Sequence, residues 1–466
     1  MYDSTTGHSY ETYDLHTRSI RLVELLPDAT GYTIMKILSN HFKVSSVSKA
    51  LSRLSKLGLV IIDQITLSGA NFFLNIFLAI SLTHDEYGSF SFTMSVIMLF
   101  SGLHNALILE PMSTVGPRDY SNQLHGYLKK QVFMHFVLTI LSSLLIISFG
   151  ILLQIINLSY VLIHSLITGG IYLPFLMFPW TTRRIFYILQ RPMYALASSI
   201  LYAFAMVMCL CWMMSIRGSL SSSDAISAIG VAGILSGSLI FGFSWDRGKI
   251  CAHDFWKIVV DHWNVGKWIL PGAFFSLCSG AIQIFFLTTF FGISSAGVFR
   301  ALQNVLLPII QIMAAISNFI LPILSHRYVT KDIKQFQRTG VLAILLVGGL
   351  ATAYGAIIWM FATPIEQLLY GGRYSEYSQF IPILGVVAAL SGISNGIFLI
   401  LRSVGKDYVH FTAGLVTFIV ALLSATPLVL VWGILGALVS LLLVYLSGFF
   451  VMLLHFSAWL RNLRST

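Results

Sequence analysis

Twelve apolar runs, each long enough to cross roughly 30 Å of hydrocarbon, follow one another from residue 57 onward. They begin near Leu57, Gly88, Gln131, Leu158, Tyr194 and Ala225, and then near Gly266, Gly297, Gly340, Gln379, Tyr408 and Gly433. A segment in lipid finds no water to satisfy its backbone, and an unbroken apolar run solves that problem by coiling into a helix. The expected fold is therefore all-α: a polytopic membrane protein of about twelve transmembrane helices. A composition that is 56% apolar and only 10% charged agrees with that class and excludes an ordinary soluble domain.

Charge sets the orientation. With both termini on the cytoplasmic side, all of the 28 Lys and Arg except Arg217, Arg300 and Arg373 fall on inner segments, as short loops require. A miscounted span would invert every later loop and destroy that pattern. The net charge of +10 then reads as attraction to anionic membrane lipids of the inner leaflet, and no nucleic acid is needed to explain it. Residues 1–56 are expected to be a cytoplasmic segment, partly disordered at its polar start. It ends in "SVSKALSRLSKLG", whose apolar residues recur at helical spacing, either as an interfacial helix or as a short cytosolic helix leading into span 1. No basic, apolar signal peptide precedes that span, so the span itself is expected to direct insertion. Cys209, Cys211, Cys251 and Cys278 form no CxxC pair and are expected to be free thiols.

Six spans, residues 57–245, precede a basic inner loop at 246–265, and six, residues 266–466, follow it. An even number in each half means that both enter the membrane in the same direction, the arrangement of a parallel repeat with two pseudo-symmetric six-helix lobes around a central cavity. "THDEYGSFSF" at 83–92 and "GISSAGVFRA" at 292–301 are then equivalent outer turns. Gly88 and Gly297 would provide the tight bends, and Pro111 and Pro322 would fall at the inner ends of the helices that follow.

Polar residues in the spans are expensive unless they face protein or water. Gln64, Ser68, Asn71 and Asn75 share one face of span 1. Ser91, Ser95, Gly102 and Asn105 do so in span 2, with His104 beside them, and Gly272, Ser276, Ser279 and Gln283 in span 7. Span 8 has the fullest stripe, Arg300, Asn304, Gln311, Asn318 and Pro322, with Ile309 and Ile320 on the opposite, lipid-facing side. The four stripes fit a hydrophilic cavity between the lobes. Polar glue between neighbouring helices would give the same spacing, but would not select these four spans.

Several chemistries lack their parts. There is no GxxxxGK[ST] phosphate loop, no HExxH, no nucleophile elbow and no carboxylate pair within a span. An enzyme or a nucleotide-driven pump is not indicated, and no cofactor or metal is implied. His135, His164 and His455 stand singly in apolar runs and read as helix-packing residues. Among charges at membrane depth, Glu110 and Arg402 read as rim residues that snorkel or cap. Asp63 is the acid best placed to couple a cycle to an ion gradient, with Glu110 second. Arg300 heads the most polar stripe, where its planar fork suits a phosphate.

The two turn copies, "HWNVGKW" before span 7, "AGVFRALQNVLLP" in span 8 and "LLYGGRYSEYSQF" before span 10 together resemble the polysaccharide-transport branch of the multidrug/oligosaccharidyl-lipid/polysaccharide exporter superfamily, the Wzx-type O-antigen and capsule flippases. The resemblance covers residues 57 to 460. It implies alternating-access translocation of a polyprenyl-pyrophosphate-linked oligosaccharide across the bacterial plasma membrane, alongside glycosyltransferases or a polymerase of a polysaccharide pathway. Arg300, Asn304, Gln311, Asn318, Gln283, Asn71, Asn75 and Asn105 would then line the substrate cavity. Spans 1 and 2 put no Lys or Arg on their stripes, unlike the more cationic lipid II flippases. An ion-coupled multidrug extruder of the same superfamily is the alternative, and it would call for cavity carboxylates. A non-transporting scaffold for glycosyltransferases would use the basic loops and would not need polar stripes.

Overall fold

The computed structural model describes residues 58–155, 159–242 and 252–465, without the side chains of 252–254, Asn318 and 462–465. The polar N-terminal segment, most of the "SVSKALSRLSKLG" stretch and Cys251 lie outside the described residues. The chain divides into two units, Met1–Leu59 and Val60–Thr466, and the helical bundle is the second. Cys209, Cys211 and Cys278 are unpaired thiols.

In chain order the first six helices are α1 (Gly58–Ser81), α2 (His84–Asp119), α3 (Leu124–Ile155), α4 (Tyr160–Ile188), α5 (Pro192–Arg217) and α6 (Ser222–Ser238). They are followed by α7 (Ala252–Phe291), α8 (Ile293–Asn304), α9 (Leu307–Val329), α10 (Ile333–Met360), α11 (Ala362–Tyr370), α12 (Ile381–Ser403) and α13 (Tyr408–Ser465). Helix starts follow local rules. Thr83 caps α2 by accepting from the Glu86 amide at 3.2 Å, and Ser221 with Asp224 forms a reciprocal capping box on α6.

Among the described residues, eleven stretches are long and apolar enough to cross a membrane. The last, α13, is two helices joined at Gly433, whose φ of 54° only glycine adopts cheaply. The two arms run back to back, because the Ser424 and Ser440 hydroxyls lie 2.8 Å apart across them. With α8 and α9 forming one broken crossing, the chain makes the expected twelve passes. Among the described residues, all Lys and Arg except Arg217, Arg300 and Arg373 lie at or near the α2–α3, α4–α5, α9–α10 and α12–α13 turns, the start of α7 or the end of α13, here called the basic end; the opposite end is the far end.

Packing divides by chain order. Helices α3 to α6 pack around one another, α7 and α9 to α13 do likewise, and the main bridge between the halves is α2 against α7 and α8. At that bridge the two copies of the repeated segment meet, and the structure corrects their reading as turns. Gly88 and Gly297 are both inside helices. A Cβ on Gly88 would overlap the Ile293 carbonyl, and one on Gly297 would lie 2.8 Å from the Gly88 amide nitrogen and from the His84 carbonyl oxygen. The glycines are there so that two helices can touch by their backbones.

Both marker prolines also depart from expectation, since neither ends its helix. Pro111 sits inside α2 just after a π-helical turn, Asn105–Leu109. A proline cannot donate to the carbonyl four residues back, here that of Leu107, and that oxygen instead accepts from His262 Nδ1 of α7 at 2.9 Å. Pro322 lies within α9, which runs on to Val329. The break in this crossing comes earlier, at Val305 and Leu306, where Pro308 withdraws the donor for the Asn304 carbonyl. The single stripe expected for span 8 is therefore split between two helices. Ile309 and Ile320, expected to face lipid, are 2% and 6% exposed and pack in the main apolar core.

Candidate functional site

One cavity opens mainly in the first half of the bundle and another in the second. The first, about 330 Å³, is bounded mainly by α1, α2, α4 and α5, and the span 1 stripe of Gln64, Ser68, Asn71 and Asn75 lines it together with Tyr202. The second, about 570 Å³, lies among α7, α9, α12 and α13 and is lined by Ser276, Ser279, Ser391, Ser394, Asn395 and Thr417 among others. Arg300 borders both. Its half-buried side chain has no ion-pair or hydrogen-bond partner among the described residues, and the Tyr87 phenol lies within range of its charge. A guanidinium kept in that way at a polar junction is ready for an anion that brings its own oxygens.

The other expected cavity residues separate into two groups. Asn71 and Asn75 face the first cavity; Asn71 accepts from the Tyr202 hydroxyl at 3.4 Å, and the Asn75 amide donates to the Asn71 carbonyl at 2.8 Å. Gln311 lines the same cavity from the other half, its Oε1 accepting from Ser68 at 2.9 Å and from Gln64 at 3.3 Å. These bonds hold α1 to α9. Asn304 and Gln283 border neither cavity. Asn304 is buried and donates to the Tyr87 hydroxyl at 2.7 Å, and Gln283 is buried and donates to Ser440 at 3.4 Å. Those two behave as polar glue. Asn105 opens the π turn of α2 and borders neither cavity. Asn318 lies in α9, with its side chain outside the described residues.

Asp63 is fully buried. Arg183 of α4 donates to its Oδ2 from two nitrogens, at 2.6 and 3.1 Å, and the Tyr187 hydroxyl donates to the same oxygen. Arg183 also reaches the Gln64 Oε1 at 3.4 Å. The sequence reading placed Arg183 among the inner-loop charges and missed it as the partner of Asp63. The signal was available, because an aspartate at membrane depth needs a cation. A fully buried carboxylate already engaged by a guanidinium suits a structural pin better than a proton carrier. Glu110 pairs with Arg184 at 3.6 Å and Arg402 with Asp407 at 3.3 Å, all four side chains being substantially exposed.

Each of the three solitary histidines has a hydrogen-bond partner on another helix or helix arm, although only His135 is buried. His135 lies 2.9 Å from His104 and 3.0 Å from the Pro174 carbonyl. His164 is bonded to Ser223 at 2.6 Å and His455 to Thr412 at 3.2 Å. The largest omission of the sequence reading is the second cavity, whose walls come mostly from α12 and α13. Its signal was "SGISN" in α12, where Ser391, Ser394 and Asn395 stand three and four apart.

No protein-family model matches the sequence, and neither does any curated protein. Solved structures do resemble it. The inward-facing conformation of a multidrug resistance MATE family transporter of the MOP superfamily superposes with a TM-score of 0.70 at 14% identity, covering 87% of this chain and 99% of that one. The lipid II flippase MurJ in its inward closed conformation gives 0.67 at 12% identity, covering 85% and 87%. An outward-facing MATE structure gives 0.59 at 12% identity, covering 86% and 96%. This chain is a multi-pass membrane protein with the fold shared by the MATE and MurJ transporters.

Proposed function

We propose that the protein is a flippase that moves a polyprenyl-pyrophosphate-linked oligosaccharide across the bacterial plasma membrane by alternating access, with both termini in the cytoplasm. One observation carries the reading: among the described lining residues of both cavities there is no carboxylate, and the only permanent cation, Arg300, borders the two. Sugar hydroxyls both donate and accept, which matches Ser, Thr and Asn walls. A pyrophosphate offers paired oxygens to a guanidinium fork. The polyprenyl tail would stay in the bilayer while the polar head passes between the halves.

The second reading, a multidrug extruder, draws on the MATE likeness, which is as good as that to MurJ. Binding of cationic drugs calls for an acid in the cavity, and Asp63, the nearest buried acid, is already engaged by Arg183. Purified protein in liposomes separates the two readings. A fluorescent polyprenyl-pyrophosphate oligosaccharide in one leaflet should become accessible to an impermeant quencher. Arg300→Ala should slow that step about 10- to 100-fold, the worth of one or two charged hydrogen bonds, and Arg300→Lys should retain part of the rate. A wild-type rate for Arg300→Ala would remove the pyrophosphate assignment. Gradient-driven uptake of a cationic dye, with no flipping, would favour the extruder.

A further inference from the structure

At the far end of the bundle, a loop from the second half grips the end of α1 in the first half. Helix α1 ends at Ser81, and its last carbonyls have no donors within their own helix. Two guanidinium nitrogens of Arg373 donate to the carbonyls of Ile80 and Leu82. The Tyr374 hydroxyl donates to the Ala79 carbonyl at 2.9 Å, and the Tyr374 ring meets His84 edge-on at 5.3 Å. A cation at this position also meets the negative end of the helix dipole. Burial raises the pKa of the Tyr374 phenol, so it remains a donor.

The loop is built to present these two side chains. Gly371 and Gly372 have φ of 63° and 84°, a backbone that side-chain-bearing residues resist, and they turn the chain so that Arg373 and Tyr374 point across the interface. Behind them the Tyr374 amide donates to the fully buried Glu366 of α11 at 2.7 Å. The Tyr370 hydroxyl donates to the Ala301 carbonyl of α8 at 2.6 Å. The loop is thus fastened to its own half at two points, and it hydrogen-bonds to the other half through side chains that can let go. The Gly88 to Gly297 contact lies between the same two halves, but it is made by backbones and offers no such release.

We propose that residues 370–374 form a latch that holds the far ends of the two halves together and must let go before a path can open there. The proposal stands apart from the identity of the substrate, since it concerns only the equilibrium between far-end-closed and far-end-open forms. Losing two charge-assisted bonds should shift that equilibrium by at least about tenfold.

The test is a distance measurement on the full chain in lipid nanodiscs. Spin labels are placed through Tyr160→Cys in the first half and Thr363→Cys in the second, in a background without native cysteines. Arg373→Ala should raise the ratio of long to short distances by at least about tenfold, Arg373→Lys by less, and Tyr374→Phe by about two- to fivefold. Arg217→Ala serves as the control, because Arg217 lies at the same end but pairs with Asp224 inside its own half, and it should leave the ratio unchanged. If Arg373→Ala does not yield monodisperse protein, Tyr374→Phe, which removes a single hydroxyl, decides the matter. Distance distributions of the Arg373 and Tyr374 variants that coincide with the parent's would overturn the proposal, as would an equal shift in Arg217→Ala.

Discussion

The two halves have related helical plans but different interiors. The first half keeps an ion pair inside: Asp63 and Arg183 are buried beside its smaller cavity with Tyr187 half-buried against them, and His104 and His135 lie against each other. The second half lines a larger cavity with hydroxyls and amides. A buried ion pair fixes geometry at a high desolvation cost, whereas neutral polar walls can exchange partners with a passing ligand. The comparison suggests a pinned half and a receptive half, with Arg300 standing between them.

The contrast is most easily broken at the pin. Asp63→Asn leaves Arg183 buried without its counter-charge, and a loss of about 3–5 kcal/mol is expected, read as a fall in the thermal midpoint of the detergent-solubilised protein. An Asp63→Asn, Arg183→Met double variant should regain most of it. If Asp63→Asn is as stable as the parent, the first half is not electrostatically pinned. The next largest effect is expected where the halves touch. Gly297→Ala must push apart two backbones, at about 1–3 kcal/mol. It should lower the share of the far-end-closed form in the same distance measurement, and an unaltered share would mean that the halves yield more easily than their packing implies.

The smallest effect sharpens the comparison of the cavities themselves. Asn395→Leu should weaken retention of a lipid-linked oligosaccharide by about 1 kcal/mol, roughly fivefold, while Asn71→Leu in the other cavity should cost less. The readout is the substrate concentration that gives half the maximal flipping rate. Equal losses would make the two cavities equivalent in substrate binding and end the distinction.

The sequence carried the number of crossings and the parallel arrangement of the halves, because run length and charge placement are strong one-dimensional signals. It also carried the span 1 stripe, since Gln64, Ser68, Asn71 and Asn75 do line one cavity. It could not tell lining from glue. Asn304 and Gln283 have the same spacing and chemistry as Asn71, but bond to Tyr87 and Ser440 in the packed interior. That outcome depends on which helix lies opposite, which no single helix encodes. The stretch from Arg300 to Pro322 read as one span in a similar way, yet Pro308 withdraws a donor, the helix breaks at Val305 and Leu306, and Ile309 lies in the core. Glycine was ambiguous too, because a residue that permits a turn also permits a backbone contact, and Gly88 and Gly297 do the second.

The proline inside α2 has a genetic corollary. Because position 111 has no amide hydrogen, the Leu107 carbonyl takes its donor from His262, which is itself braced by the Tyr127 hydroxyl at 2.6 Å. An alanine at 111 would return a donor to α2 and make that imidazole dispensable. His262→Ala should therefore harm the parent and be nearly silent beside Pro111→Ala, so the two sites are epistatic although they lie about 150 residues apart in the chain.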